Sequence, residues 1–168
     1  MKVRLGLDFG GVIVAAVEAA PSGEDTALGG SRFEPSDARQ MPGAFAAIAE
    51  LNELLSGELW IVSKAGPRMQ RISREWFAAQ RFFETTAVDP AHLHFCIERA
   101  DKRPICEALA LTHFVDDRVA LMHVLRGAVA NLYQMSTGGE RARAEPWYRR
   151  VTSWSELLPL LRAECARD

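Results

Sequence analysis

Leu5-Gly6-Leu7-Asp8-Phe9-Gly10-Gly11-Val12 decides how the rest of the chain is read. A short apolar run beginning at Val3 stops abruptly at Asp8, and two glycines follow. That is the pattern of a buried strand emptying into a tight loop that carries a carboxylate. Working outward, the same punctuation recurs twice. Leu59 to Val62 is apolar and ends at Ser63-Lys64-Ala65-Gly66, and His113 to Val115 closes on Asp116-Asp117. His92 to Ile97 and Ala128 to Tyr133 read as two further strands.

Helical patterns fill the intervals. Phe45, Ile48, Leu51 and Leu55 form one stripe, stopped near Gly57. Pro67 suits the first turn of a helix on which Met69, Ile72, Trp76 and Phe83 recur, while Arg68, Arg71, Arg74 and Arg81 take other positions and read as a solvated face. Arg103 to Leu111, Val119 to Leu125 and Ser155 to Arg162 supply three more helices. Strands alternating with helices through short turns specify an α/β fold, a three-layer α/β/α sandwich with a parallel, Rossmann-like sheet. Residues 1–168 are expected to form one domain, with a Pro-, Gly- and Ser-rich flap at about 14–41.

Composition narrows the classes of function. The 168 residues are 48% hydrophobic and 25% charged, enough for a core and against disorder. Twenty Lys plus Arg against 22 Asp plus Glu leave a formal charge of -2, so no global field draws the chain to nucleic acid or an anionic membrane. Three scattered cysteines, with no CxxC pair, fit a reducing setting. No apolar stretch reaches the ~18 residues of a membrane span. A cytoplasmic protein is expected.

Ligands of open parallel sheets sit at the carboxyl ends of the strands. There, Asp8 could act as a nucleophile, Asp116 and Asp117 supply the hard oxygen ligands that Mg²⁺ prefers, and Ser63 and Lys102 could grip a phosphate. Each residue also has a plainer reading. Asp8 before glycines could make a turn, Asp116-Asp117 could cap the following helix, Ser63 could cap another, and Lys102 beside Asp101 and Arg103 could be a surface cluster. His92 and His94 could share a metal or be ordinary histidines. Arg141, Arg143, Arg149 and Arg150 with Trp147 and Tyr148 could stack on a nucleotide, or form a loop whose aromatics pack on the core. Cys96 and Cys106 read as inert core thiols.

The order of these pieces resembles the haloacid dehalogenase-like (HAD) superfamily of mostly Mg²⁺-dependent phosphohydrolases. Its first motif, an apolar strand followed by DxDx(T/V), is similar to Leu5-Gly6-Leu7-Asp8-Phe9-Gly10-Gly11-Val12. Its second, a strand ending in Ser or Thr, matches Trp60-Ile61-Val62-Ser63. Its third is a lysine, here Lys102, and its fourth is a strand ending in two acidic residues, here His113-Phe114-Val115-Asp116-Asp117. The resemblance spans roughly residues 3 to 133. It implies that Asp8 forms an aspartyl-phosphate, that Mg²⁺ is held by Asp8, the Gly10 carbonyl, Asp116 and Asp117, and that Ser63 and Lys102 hold the phosphate. It also implies little or no cap, hence an open site for a phosphorylated small molecule or macromolecule.

One position departs from that pattern. The family's second aspartate, which protonates the leaving group, is here Gly10. Losing a positioned acid typically removes ~10²- to 10⁴-fold in rate. Three readings remain: a substrate with a good leaving group, such as an acyl or aryl phosphate; a proton from the flap, with Glu18 or Asp25 nearest; or a non-catalytic module that binds phosphorylated ligands or proteins. The Asp-Phe-Gly-Gly stretch also resembles the first phosphate loop of sugar kinases in the actin-like ATPase superfamily, but Val12 stands where those carry Thr and the chain is too short for two lobes.

Overall fold

The computed structural model describes residues 2–15, 38–136 and 145–166. Most of the expected flap at 14–41, including Glu18 and Asp25, lies outside them, as do Arg141 and Arg143. Six strands form one sheet: β1 (Leu5–Leu7), β2 (Leu59–Lys64), β3 (Leu93–Cys96), β4 (His113–Asp116), β5 (Asn131–Met135) and β6 (Arg149–Val151). Their order is β3-β2-β1-β4-β5-β6, and every neighbouring pair is parallel. The α/β class read from the alternation of strands and helices is the class adopted.

Side-chain alternation builds the two faces. Leu5, Leu7, Leu59, Ile61, Val115 and Tyr133 share one core with α1 (Ala44–Leu54), α2 (Pro67–Ala79), α3 (Phe82–Thr86) and α6 (Trp154–Cys165). Trp60, Val62, Phe114 and Leu132 point the other way, against α4 (Lys102–Ala108) and α5 (Val119–Leu125). The result is a sandwich of three layers. Burying a large apolar side chain contributes roughly 1.5–3 kcal/mol, so the two cores outweigh the short strands as a source of stability.

Several boundaries moved for physical reasons. The helix read as running to Phe83 ends at Ala79, with Gln80 as its cap, because Arg81 takes a left-handed backbone (φ 53°), and α3 starts anew. Phe82 rather than Phe83 is then the fully buried ring, meeting Phe45 edge-on at 5.1 Å. The arginines of α2 are exposed, as the solvated reading expects. The arginine-rich stretch around Arg149 and Arg150, which the sequence also allows as a loop, contributes β6, whose register Tyr133↔Arg149 and Met135↔Val151 extends the sheet by a strand. Tyr148 is buried in the α4/α5 core, and Trp147 packs between His123 and Arg126, so these aromatics fold back on the body.

The loop after β1 is tied down on both sides. Ile13 and Val14 amides donate to the Phe9 carbonyl at 3.0 Å each, and the Trp154 indole N–H donates to the Val12 carbonyl at 2.8 Å. Chain leaving this loop meets chain returning to it: Val14 bridges Gln40 in antiparallel fashion, and Ala15 N–H donates to the Arg39 carbonyl at 2.9 Å. The Trp76 indole N–H fixes the returning arm through the Ala38 carbonyl at 2.9 Å.

Candidate active site

Strand order reverses direction of growth between β1 and β4, and this is the crevice where open parallel sheets hold ligands. Asp8 leaves β1 there and Asp116 ends β4 there. The register Gly6↔Phe114 and Leu7↔Val115 sets the two strand ends level, and alternation turns Asp8 and Asp116 toward the α4 layer. Lys102, the first residue of α4, meets them. Its Nζ donates to Asp8 Oδ1 at 2.8 Å and to Asp116 Oδ2 at 2.8 Å.

Burial grades the cluster from floor to rim. The Lys102 and Asp116 side chains are 3% and 2% exposed, Asp8 is 13% and Asp117 is 22%. Asp116 Oδ1 accepts the Arg118 amide at 2.9 Å, which folds the turn after β4 back over the strand end. Asp117 faces Arg118 Nε at 3.5 Å. One oxygen from each of Asp8, Asp116 and Asp117 lies within 4.8 Å of the others.

Two glycines make this packing possible. Gly11 has φ +71°, and a Cβ there would stand 2.6 Å from Asp117 Oδ2 and 2.8 Å from its Cβ, so only glycine lets the two loops touch. A Cβ on Gly6 would fall 2.4 Å from the Phe114 ring. With no Cβ there, Phe114 lies flat against β1, and the Lys102 ammonium sits 5.5 Å above its ring centre. Gly6 carried no chemical signal in the sequence. Its role comes from a contact with a residue far along the chain.

The electrostatics are one-sided. Burial, then the Asp116 charge, pushes Asp8 up to about 6, although Lys102 pulls the other way. Asp117 is pushed up to about 8 by burial and by the charges of Asp116 and Asp8. Burial works against the Lys102 ammonium, but Asp116 and Asp8 outweigh it and hold the lysine protonated well above its ordinary range. Two carboxyl groups thus lean on one buried lysine, while the third faces Arg118. Two carboxylates sharing a single cation with a third beside them is a donor set short of positive charge, and hard oxygens at this spacing suit a divalent cation such as Mg²⁺.

The structure therefore brings together four of the residues singled out in the sequence: Asp8, Lys102, Asp116 and Asp117. Gly10 follows Asp8 in the same loop, half-buried. Ser63 stands at the same edge of the sheet, near the carboxyl end of β2, and is buried. It lies on the face of Ile61, which is the opposite face from Asp8. His92 and His94 are not part of the cluster: His92 Nδ1 pairs with the Leu59 carbonyl at 2.9 Å, and its ring stacks on Trp60. Burial pushes the Cys106 thiol up to about 12 and raises Cys96, in keeping with unreactive core thiols.

No protein-family model matches the chain, and no curated protein matches it in sequence. Solved structures do. A haloacid dehalogenase-like family hydrolase from Xanthomonas campestris superposes with a TM-score of 0.61 over 99% of both chains, at 11% identity. The chain has a haloacid dehalogenase-like fold. A second structure, described as a candidate haloacid dehalogenase-like hydrolase from Burkholderia xenovorans, gives 0.54 at 17% identity, covering 76% of this chain and 60% of that one. The fold was expected from the order of the motifs, and the likeness bears on the fold alone.

Proposed function

We propose that the chain is an Mg²⁺-dependent phosphohydrolase that works through Asp8 and is suited to phosphates with good leaving groups. The observation that carries this reading is the convergence of Asp8, Asp116 and Asp117 oxygens within 4.8 Å at the sheet's switch point, with Lys102 bridging two of them. The likeness to structures described as hydrolases adds to it. Asp8, Asp116, Asp117 and the Gly10 carbonyl would hold the ion. When bound, it supplies the positive charge that lets an anionic phosphate approach a carboxylate.

The chain's own residues divide the rest. Lys102 fixes Asp8 through Oδ1, leaving Oδ2 as the atom that attacks phosphorus. As the Asp8–phosphorus bond forms, the bond from phosphorus to the leaving oxygen breaks and that oxygen departs with the electron pair. Water then attacks phosphorus, the phosphorus–Asp8 bond breaks with its electron pair returning to the Asp8 carboxylate, and the water's protons leave with the released phosphate. Lys102 stays protonated throughout and offsets charge gathering on the phosphoryl oxygens. Gly10 offers no acid to the departing oxygen. An acyl or aryl phosphate leaves as a stable anion and needs none, which sets the substrate class, whether carried on a small molecule or a macromolecule.

Gly10 also favours a second reading, a module that binds phosphorylated ligands without turning them over. Phosphate release from an aryl phosphate with Mg²⁺ separates the two. Asp8→Asn is expected to lower the rate by about 10³-fold or more. Equal rates for the two proteins sink the enzyme reading. Gly10→Asp is expected to raise turnover of alkyl phosphates, by up to about 10²- to 10⁴-fold. No gain, together with no Mg²⁺ binding in calorimetry, favours the binding module.

A further inference from the structure

Gln134 is the penultimate residue of β5, wholly buried, and paired in register with Asp116. A polar side chain at that depth must place both ends of its carboxamide. Its Nε2 donates to the Asp117 main-chain carbonyl at 3.3 Å, and its Oε1 accepts from Arg150 Nε on β6 at 3.0 Å. The orientation follows from the partners: a carbonyl only accepts and a guanidinium only donates, so the oxygen must face Arg150 and the nitrogen Asp117. Only glutamine has one acceptor end and one donor end at this length. Glutamate would face the carbonyl with a second acceptor, and methionine would satisfy neither partner.

We propose that Gln134 is a positioning residue, whose carboxamide ties the Asp117 peptide to β6 through Arg150 and so fixes where the rim carboxylate stands. Other restraints on this turn include Arg118 N–H on Asp116 Oδ1, Arg118 Nε beside Asp117 at 3.5 Å, and Gly11 against the Asp117 side chain. Gln134 adds a side-chain tie from β5. The metal-affinity part of the test rests on the proposed function, while the exchange part does not.

The experiment compares wild type with Gln134→Met, a substitution close in volume that removes both hydrogen bonds. Residue-resolved hydrogen exchange should show the Arg118 amide exchanging about tenfold faster relative to the Tyr133 amide in β5, as loss of one buried hydrogen bond implies. Mg²⁺ affinity measured by calorimetry should fall about tenfold or more, the usual cost of losing a group that orients a ligand. Gln134→Glu, which keeps the acceptor for Arg150, should speed Arg118 exchange as well. If Gln134→Met does not fold, Arg150→Met attacks the same bridge from its half-exposed end and should also speed Arg118, by less. Unchanged Arg118 exchange in the folded variants overturns the proposal. Wild type that binds no Mg²⁺ overturns the metal site instead, and the exchange result still decides Gln134.

Discussion

The two ends of the sheet treat charge in opposite ways. At the amino end, Arg4 and Lys2 both engage Glu58, at 2.9 and 2.8 Å. Arg4 also donates Nε to the Leu109 carbonyl and lies 4.5 Å over the Trp60 ring, and its amide donates to Thr112 Oγ1. The Lys2 hydrogen bond, with the Arg4 charge behind it, holds Glu58 below the usual carboxylate range. At the carboxyl end, burial and mutual repulsion push Asp8 and Asp117 upward. One end has its carboxylate satisfied by cations near solvent; the other sets two carboxyl groups on one buried lysine with a third at the rim beside Arg118. Electrostatic strain of the second kind is what a bound cation would relieve, so the carboxyl end is where the proposed ion would sit.

Replacing the lysine should break the contrast most severely. Lys102→Met leaves Asp8 and Asp116 buried without their shared cation, and unfolding in denaturant should show a loss of about 3–5 kcal/mol. A loss under ~1 kcal/mol would mean that the carboxylates do not depend on it.

Next is the pH dependence. Asp8 and Asp117 hold their protons more tightly in the folded chain than at the ordinary 3.8 of the unfolded one. As pH rises the unfolded state ionises first, so stability falls from about pH 4 until Asp8 ionises near 6 and Asp117 near 8. Without divalent cations the melting temperature should drop across this window. Millimolar Mg²⁺ should flatten the decline, because the ion favours the ionised carboxylates. A melting temperature that rises with pH in the absence of the ion contradicts the upward shifts.

Gly6→Ala sharpens the comparison through packing, since the added Cβ must displace Phe114 from beneath Lys102. Overpacking of this sort costs roughly 1–3 kcal/mol. Thermal unfolding checks the loss, and an unchanged melting temperature would show that the ring gives way freely. The smallest effect belongs to the amino end. Lys2→Met removes an exposed partner of Glu58, and the stability change should stay within about 0.5 kcal/mol; a larger loss would erase the distinction between the two ends.

Reading the sequence reached some of these residues and not others. Asp8, Asp116 and Asp117 were legible because each closes an apolar run, and strand ends at one edge of a parallel sheet share a location. Lys102 is less legible: motif order marks it as a phosphate contact, its neighbours Asp101 and Arg103 equally allow a surface cluster, and its near-total burial depends on where α4 lies. Gln134 gave no signal, since a glutamine in a strand reads the same whether it faces water or bridges two chain segments. The strand β6 was hidden in a polar stretch because an edge strand needs only three residues in register with a neighbour. Gly6 read as an ordinary small residue until Phe114 came to lie on it.

The sequence by itself determined the class of fold and that Asp8, Asp116 and Asp117 stand at one edge of the sheet. Those depend on local periodicity and on chain punctuation, which neighbouring residues carry. Only the tertiary structure decided which charges share a cation, which face Ser63 takes, and why Gly6, Gly11 and Gln134 matter. Burial and pairing between residues about a hundred positions apart, such as Asp8 with Lys102 and Gly6 with Phe114, exist only once the strands have packed. Desolvation then turns ordinary carboxylates into a cluster short of positive charge.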